Sequence, residues 1–517
     1  MFDNIGVLTM AENENNNNEN KPKGSNNGYG VALFGRRVIY TDVDEVTADN
    51  VVSVIRQALP THIANKCDIN YLYNYYKGKQ PILERIKEVR PEINNKVVVN
   101  YANEIVSFKV GYLTGKPIQY VALTEKSDEV NKLNAFMYDI GKEDLDLDIL
   151  EWDHICGTAY RYVEALDPKN VGEGESPFNI YTLDPRTTAV VYSSTFKKKR
   201  MCSFTYTFSA EKGTVKDFVV YTPTKIFTFS DDGEKTTGFA EKPNALGDIP
   251  IYEYPANNAR LGAFEVVLPL LDAINRIESN RVDGIEQQIQ SFLKFINCEV
   301  DLDALEDLRR YGAIKIKSTD GQQADVDTVK TDFSQDGAQI TKDDLRIAML
   351  TICGMPSQGN GQSVSANNGA IIIQNGWSQA EARARSSETM FKGAERLMLK
   401  LIFKICKTIG NSGINLITSD VDTHFTRNNY ENLQVKAQVL CEMLNTPRIH
   451  PRLAFEACGL FSDPEGAYLI SEDYYQKSLA EWSVDDVLEF EKAVNNGEGK
   501  TVRTNGLADS DAIDATS

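Results

Sequence analysis

The chain is short of the residues that do chemistry. Its 517 residues include only four histidines, His62, His154, His424 and His450, scattered singly. With no HExxH and no Cys/His cluster, neither a metal site nor a cofactor is expected. Eight cysteines occur, at Cys67, Cys156, Cys202, Cys298, Cys353, Cys406, Cys441 and Cys458. None forms a CxxC pair and several fall in apolar helical patterns, the signature of buried free thiols in a reducing compartment. No GxSxG nucleophile motif is present. Positive charge is also scarce: 55 Lys and Arg stand against 74 Asp and Glu, a net −19. Such a surface does not coat nucleic acid, because phosphate binding needs a cationic excess, so any DNA contact is either a local basic strip or a deliberately loose one. No apolar run approaches membrane-spanning length, and the N-terminus lacks a basic-then-apolar signal pattern. A chain working in a cytoplasm, or assembled in one, with no membrane partner is expected.

What is present is an ordinary balance for a folded chain, 42% hydrophobic and 25% charged, with length for two to four domains. Residues 11–29, AENENNNNENKPKGSNNGY, are Asn-rich and low in complexity, and 495–517 read similarly; both are expected to be disordered. Helical spacing appears in 44–76, 129–140 and 145–156, and in the stretch NYANEIVSFKVGYLTGKPIQY from Asn100, where Ala102, Ile105, Val106, Val110 and Leu113 recur at three and four residues before Gly115 and Pro117. Strand patterns follow in IQYVAL and TAYRYVEAL, then repeatedly from Phe178 to Tyr254, predicting an α+β domain with an antiparallel sheet. The texture changes at Ala263. One long helix is predicted to Leu293, with Val267, Leu270, Leu271, Ile274, Ile277, Ile285, Ile289 and Phe292 on its apolar face and Pro269 in its first turn. A small α/β insert occupies 295–333. A second helix runs from Ile340 to Cys353 and stops at Gly354-Met355-Pro356, the polar loop SQGNGQSVSANNG covers 357–369, and a very long helical pattern extends from Ala370 to Ile409. INLIT and DTHFTR look like strands, and Asn432–Ala480 is helical again. Two long helices bracketing an insert place that insert at the tip of a helical hairpin.

Several stretches imitate chemistry. GMPSQGNG has the two glycines of a phosphate-binding loop, but Asn360-Gly361 stands where Lys-Ser/Thr is needed to meet the phosphate charge. GYGVALFG near residue 28 misses the GxGxxG spacing and follows no strand. EDLDLD (143–148) reads as a solvated face or a helix N-terminal charge cluster. From Ala366 to Lys407 there are seven basic residues, Arg383, Arg385, Lys392, Arg396, Lys400, Lys404 and Lys407, against three acids, Glu381, Glu388 and Glu395. Pairing at i,i+4 explains part of this, as in Glu381–Arg385 and Glu388–Lys392. A strip that meets phosphates or an acidic neighbouring subunit explains it equally.

The order of these elements resembles the portal protein (head-to-tail connector) family of tailed double-stranded DNA bacteriophages, in its siphovirus-type branch. NKVVVNYANEIVSFKVGYLTGKPIQY (95–120), CGTAYRYVEAL with IYTLDPRTTAVVYSS, and TPRIHPRLAFEACGLFSDPEGAYLISED (446–473) carry the likeness, which spans about Val51 to Glu472. The resemblance implies a disordered arm (1–43), an α/β wing (44–262), a stem helix (263–294), a small α/β clip (295–335), a second stem helix (336–354), a tunnel loop (355–369), a long helix with strands returning to the wing (370–431), a helical crown (432–480) and an acidic, largely disordered tail (481–517). It implies a ring of twelve copies at one capsid vertex of the virion, assembled in the host bacterial cytoplasm. That ring would pass double-stranded DNA without sequence preference in packaging and ejection. The terminase, head-completion or adaptor proteins, and capsid and scaffolding proteins would be its partners, and no catalysis would be its own.

In that arrangement the loop side chains of Ser357, Gln358, Asn360, Gln362, Ser363, Asn367 and Asn368 would face DNA, uncharged and therefore able to touch phosphates and let go. Gly354, Gly359, Gly361 and Gly369 would act as loop hinges. Arg309, Arg310, Lys315 and Lys317 in the clip would meet the motor, an adaptor or a neighbouring subunit. The strip Arg383, Arg385, Lys392 and Arg396 would line the long helix. The same loop composition would also suit a flexible surface loop. Two rivals remain at this stage, a nucleic-acid enzyme of mobile-element origin and another ring or adaptor protein of the tail.

Overall fold

Alternating apolar and polar residues in β5 (Thr188–Ser193), β6 (Arg200–Phe208), β7 (Lys216–Tyr221), β8 (Lys225–Asp231) and β9 (Thr236–Pro243) zip into an antiparallel meander. The computed structural model describes residues 33–172, 174–208, 215–289, 292–296, 298–299, 317–318, 325–329, 335–356, 377–408, 412–427, 433–461 and 464–481. The chain divides into two compact units, residues 1–428 and 429–517. In the first, β1 (Ile39–Thr41) runs parallel to β5 and completes a six-stranded sheet, β1-β5-β6-β7-β8-β9. At the other edge β9 is exposed along nearly its whole length. It carries Glu241 and Lys242 and ends at Pro243, features that blunt an open edge.

The buried face of this sheet presents Val191, Cys202, Phe204, Phe218, Val220 and Phe227. Val51, Val54, Ile55 and Ala58 from the first half of α1 (Val51–Tyr76) cover it. The expected disordered arm to residue 43 is therefore too long. Residues 33–43 are held: Arg36 forms an ion pair with the buried Glu265 at 2.6 Å, Arg37 meets Asp68 at 2.9 Å, and β1 joins the sheet. Short segments rich in local glycine and arginine hide this, because the partners lie far away in sequence.

The second half of α1 (Ile69, Leu72, Tyr75) leaves the sheet and packs with α2 (Tyr101–Leu113) and with the helices of the hairpin described below. Asn100 caps α2, its side chain accepting the Asn103 amide. After β2 (Gln119–Ala122) come α3 (Ser127–Asp139) and α4 (Lys142–Cys156), which begin two to three residues earlier than their apolar patterns suggest. Polar first turns account for the shift. β3 (Thr158–Ala165) sits between β4 (Phe178–Leu183) and β10 (Ile251–Pro255) in a three-stranded antiparallel sheet. At Gly157, between α4 and β3, φ is +81° and a Cβ would run into the Arg260 carbonyl, so only glycine makes this corner.

The hairpin consists of α5 (Leu268–Ile289) and α6 (Gln335–Cys353). Between them β11 (Phe292–Ile296) pairs with β14 (Asp325–Val329), and β12 (Cys298–Glu299) pairs with β13 (Lys317–Ser318). The chain leaving one helix is thus stitched to the chain entering the other. The helix expected in DALEDLRRYG lies outside the described residues. α7 (Trp377–Thr408) follows, then β15 (Val421–His424), which pairs antiparallel with β2 almost 300 residues earlier in the chain. INLIT is not a strand. Its buried Ile414 and Leu416 alternate with outward residues, but the Asn415 amide donates to Glu129 and the Ile417 amide to Asp420, so carboxylates replace a ladder partner.

The second unit contains α8 (Leu433–Leu444), α9 (Pro451–Cys458) and α10 (Pro464–Glu481) around Leu440, Ala454, Phe455 and Cys458. His450 caps α9, Pro451 opens it and Gly459 at φ +59° closes it.

One buried titratable group in the first unit makes the fold pH-sensitive. His62 of α1 sits edge-on to Phe204 and Tyr206, with Nε2 3.2 Å from the Arg186 carbonyl. Burial, with Lys66 and Lys216 nearby, lowers its pKa from 6.5 to about 4. The folded state therefore holds His62 neutral where the unfolded chain protonates it. Stability is full above the unfolded value and falls as pH drops from 6.5 to about 4, by up to about 3 kcal/mol. His62→Gln is expected to flatten this slope in denaturant titrations at pH 6.5 and 4.5; an unchanged slope would remove His62 as its source.

Candidate functional site

The first feature is how α5 is held. One stripe is apolar, as its sequence shows, with Leu268, Leu271 and Ile274 buried; Leu268 and Leu271 share a core with Met349, Leu350 and Cys353 of α6. Farther along, Glu278 bonds Lys342 at 2.7 Å and Arg281 reaches Gln339 at 2.9 Å. A second stripe is polar and equally buried. Asp272 accepts from the Tyr75 hydroxyl at 2.9 Å, Asn275 accepts from the Val99 amide at 2.8 Å, and Ser279 accepts from the Val97 amide at 3.0 Å. Asp283 accepts from the Asn95 amide at 2.8 Å and pairs with Arg85 and Lys87 at 3.1 and 3.0 Å. Burial pushes the Asp283 carboxyl up, but the Asn95 and Lys87 contacts prevail and hold it below the usual range. The loop around residues 85–99 is thereby strapped along the helix. Sequence reading missed this stripe, because polar residues at helical spacing look like a solvated face.

The second feature is the anchor of α7. Glu395 is fully buried, although by sequence it is one more acid on a charged helix. Its carboxylate accepts from the hydroxyls of Tyr120 and Tyr254, both at 2.5 Å, and meets Lys142 at 3.1 Å and Arg161 at 3.5 Å. Lys142 and Arg161 also share Asp146, at 2.5 and 2.7 Å. Burial alone would raise the Glu395 pKa; Lys142 and Arg161 outweigh it and lower it. EDLDLD thus contributes Asp146 to a buried ion cluster, not only a solvated face. Outside it, Arg427 clasps Glu381 at 2.8 Å and also Glu388, while Lys392 bonds Glu388 at 3.1 Å and Asp422 at 3.0 Å.

The third feature is the corner between hairpin and long helix. α6 ends in a Schellman arrangement: the Met355 amide donates to the Leu350 carbonyl at 2.8 Å and the Gly354 amide to that of Thr351 at 3.1 Å. Gly354 has φ +65°, and the aliphatic part of Arg383 lies where its Cβ would be. Beside it a pocket of about 20 Å³ is walled by Phe108, Lys109, Tyr112, Leu113 and Ala384.

Of the residues proposed from sequence, Gly354 thus caps α6. Ser357, Gln358, Gly359, Asn360, Gly361, Gln362, Ser363, Asn367, Asn368 and Gly369 lie outside the described residues, as do Arg309, Arg310 and Lys315. Lys317 lies in β13, opposite Glu299. Of the proposed basic strip, Arg385, Lys392 and Arg396 lie on one side of α7 and Arg383 on the other. Arg385 is exposed and paired with Glu381 at 2.8 Å, Lys392 is paired twice, Arg396 is exposed, and Arg383 leans over Gly354. Ion pairing, the first of the two explanations offered above, accounts for Arg385 and Lys392. Among the described residues no three His, Cys, Asp or Glu are grouped to hold a metal ion, and no helix is long and apolar enough to cross a membrane.

A family model described as phage portal protein, SPP1 Gp6-like, matches residues 57–483. The chain belongs to the phage portal protein family. No curated protein matches it. The portal family is structural and non-enzymatic, and its members are components of the bacteriophage head–tail connector that serve DNA packaging. The enzyme rival is thereby set aside. A portal chain needs a rigid frame more than a reactive group, and the buried ion cluster supplies one.

If that cluster anchors α7, removing its centre leaves two cations facing one carboxylate in the core. Glu395→Ala is expected to destabilise the first unit by about 3–5 kcal/mol. Arg396→Ala, one residue away and exposed, should change it by less than about 0.5 kcal/mol. Equal shifts of the urea midpoint would refute the anchor.

Proposed function

We propose that this portal chain assembles as a homo-oligomeric ring of twelve at one capsid vertex of the virion and forms the channel for double-stranded DNA in packaging and ejection. On this reading the ring also docks the terminase, whose ATP hydrolysis drives packaging, and then the head-completion or adaptor proteins. Capsid and scaffolding proteins meet it during assembly.

The observation that carries the reading is the family match over 57–483 together with the α5–α6 hairpin, its stitched insert and the 32-residue α7 that follows. Charge and composition support it. A channel must not grip its cargo, since each neutralised phosphate adds affinity, and residues 357–369 contain no charged side chain. The net −19 also keeps DNA from adhering to the outside. The insert residues Arg309, Arg310, Lys315 and Lys317 are the proposed contacts with the motor, an adaptor or the adjoining subunit.

Electron microscopy of the purified protein in negative stain is expected to show rings with a central channel whose subunits can be counted. A compact oligomer without a channel would overturn the reading. Deleting 357–369 should leave ring formation intact and lower the amount of DNA packaged; unaltered packaging would remove the loop from the channel.

A further inference from the structure

The longest run of basic residues in the chain is Lys197-Lys198-Lys199-Arg200, inside a stretch, 185–210, that has no aspartate or glutamate. It forms the turn between β5 and β6. The turn is closed by backbone bonds. The Ser193 amide donates to the Lys199 carbonyl at 2.8 Å, the Lys198 amide to the Thr195 carbonyl at 3.0 Å, and the Ser194 amide to the Thr41 carbonyl at 3.0 Å. Arg200 anchors the base: it bonds the Ile251 carbonyl and Asp248, both at 3.1 Å, and lies over the Tyr252 ring. β6 starts at Arg200, but its pairing with β7 starts only at Ser203, opposite Tyr221. The hairpin therefore overhangs the end of β7 by about 10 Å.

Two features of this tip run against ordinary turn chemistry. Lys198 has φ +43°, a conformation that glycine or asparagine adopts at less cost. Phe196 is 90% exposed, with the Lys197 ammonium 5.9 Å from its ring centre. Lys197, Lys198 and Lys199 are all exposed, and none makes an ion pair among the described residues, Asp42, Asp44 and Glu45 after β1 included. By contrast Lys225, which opens β8 at the same end of the sheet, is paired with Glu241 at 2.9 Å. Three adjacent ammonium groups are thus held out in water, against their mutual repulsion and at a strained position.

We propose that the β5–β6 tip is a contact for the phosphate backbone of duplex DNA, in which Lys197, Lys198 and Lys199 neutralise phosphates without reading sequence. It rests on the family's service in DNA packaging and not on the ring reading. It is separate in the chain from the loop 357–369. Lysine ammonium groups act as point charges on flexible stems, which suits phosphates met in no fixed geometry. A protein partner is less well served. Stable protein interfaces bury about 800 Å² on each side and are depleted in lysine. A narrow tip that stands clear of its sheet offers no such breadth, and its one arginine, Arg200, is engaged at the base. The acidic surface elsewhere, within a net −19, repels DNA and confines the contact to the tip.

The test is the salt dependence of binding to a fluorescent duplex of about 20 base pairs, read by anisotropy with the full chain. Each lysine that meets a phosphate adds about one unit to the slope of log K against log salt. K197Q/K198G/K199Q removes the three charges and puts glycine where φ is positive, so the turn keeps its shape. Its slope is expected to fall by about 3, and its affinity at about 50 mM salt by about tenfold or more. K225Q/K477Q removes ammonium groups already paired with Glu241 and Asp473 and should keep the parent slope. A tip variant with the parent slope would overturn the proposal. So would an equal fall in K225Q/K477Q, which would assign the effect to net charge, or a parent that binds no duplex at about 50 mM salt. A tip variant that binds DNA as the parent does but no longer co-sediments with capsid or scaffolding protein would reassign the tip to an acidic protein surface. Parent and variants are compared in one assembly state, so the outcome stands whether or not rings form. Residues 357–369 contain no charged side chain and add nothing to the slope.

Discussion

The first unit is organised around a carboxylate that has no business being buried on its own. Glu395 costs several kcal/mol to remove from water, and it is tolerable only because two tyrosine hydroxyls, a lysine and an arginine meet it. Those partners come from β2, α4, β3 and β10, and Asp146 completes the charge balance. No two of these elements can shift independently without exposing an unpaired charge. The cluster therefore sets the register of α7 against two separate sheets, and Phe391, tilted against Tyr254 and edge-on to Phe425, seals it with apolar contact.

From that anchor the long helix runs back toward the corner at Gly354, and the hairpin extends from the same core. The hairpin is braced differently. Its α5 is bound on one stripe by hydrophobic and ionic contact with α6, and on another by backbone amides and lysine or arginine side chains of the 85–99 strap. Directional bonds to Asn275, Ser279 and Asp283 fix the rotation of the helix as well as its position. Apolar packing alone does that less well, since it has no direction.

These devices suit a protein whose task is mechanical. A family of structural connectors has no use for shifted nucleophiles, and the strongly perturbed hydroxyls of Tyr120 and Tyr254, with the Glu395 carboxylate they bond, are sealed in the core away from any substrate. Perturbed titration often marks an active site. In this chain it marks the joints of a frame.

Much was legible from sequence by itself: the order of helices and strands, the hairpin with its insert and the α+β class follow from periodicity, which is local, but the helix read from Ala263 to Leu293 spans only Leu268–Ile289, with Val267 ahead of it, Phe292 in β11 and Ile285 exposed. The family, too, follows from the order of those elements and the motifs between them. What only the tertiary structure decided was pairing at a distance. Residues 33–43 read as part of a tail because the partners of Arg36 and β1 lie elsewhere in the chain. INLIT read as a strand because burial alternates there, although side-chain carboxylates satisfy its backbone. Asp146 read as solvated, Glu395 as one more acid of a charged helix, and the polar stripe of α5 was missed, because a charged residue at helical spacing looks the same whether it faces water or its counter-charge. The difference lies in which side chains converge on it, and that is a property of the folded chain.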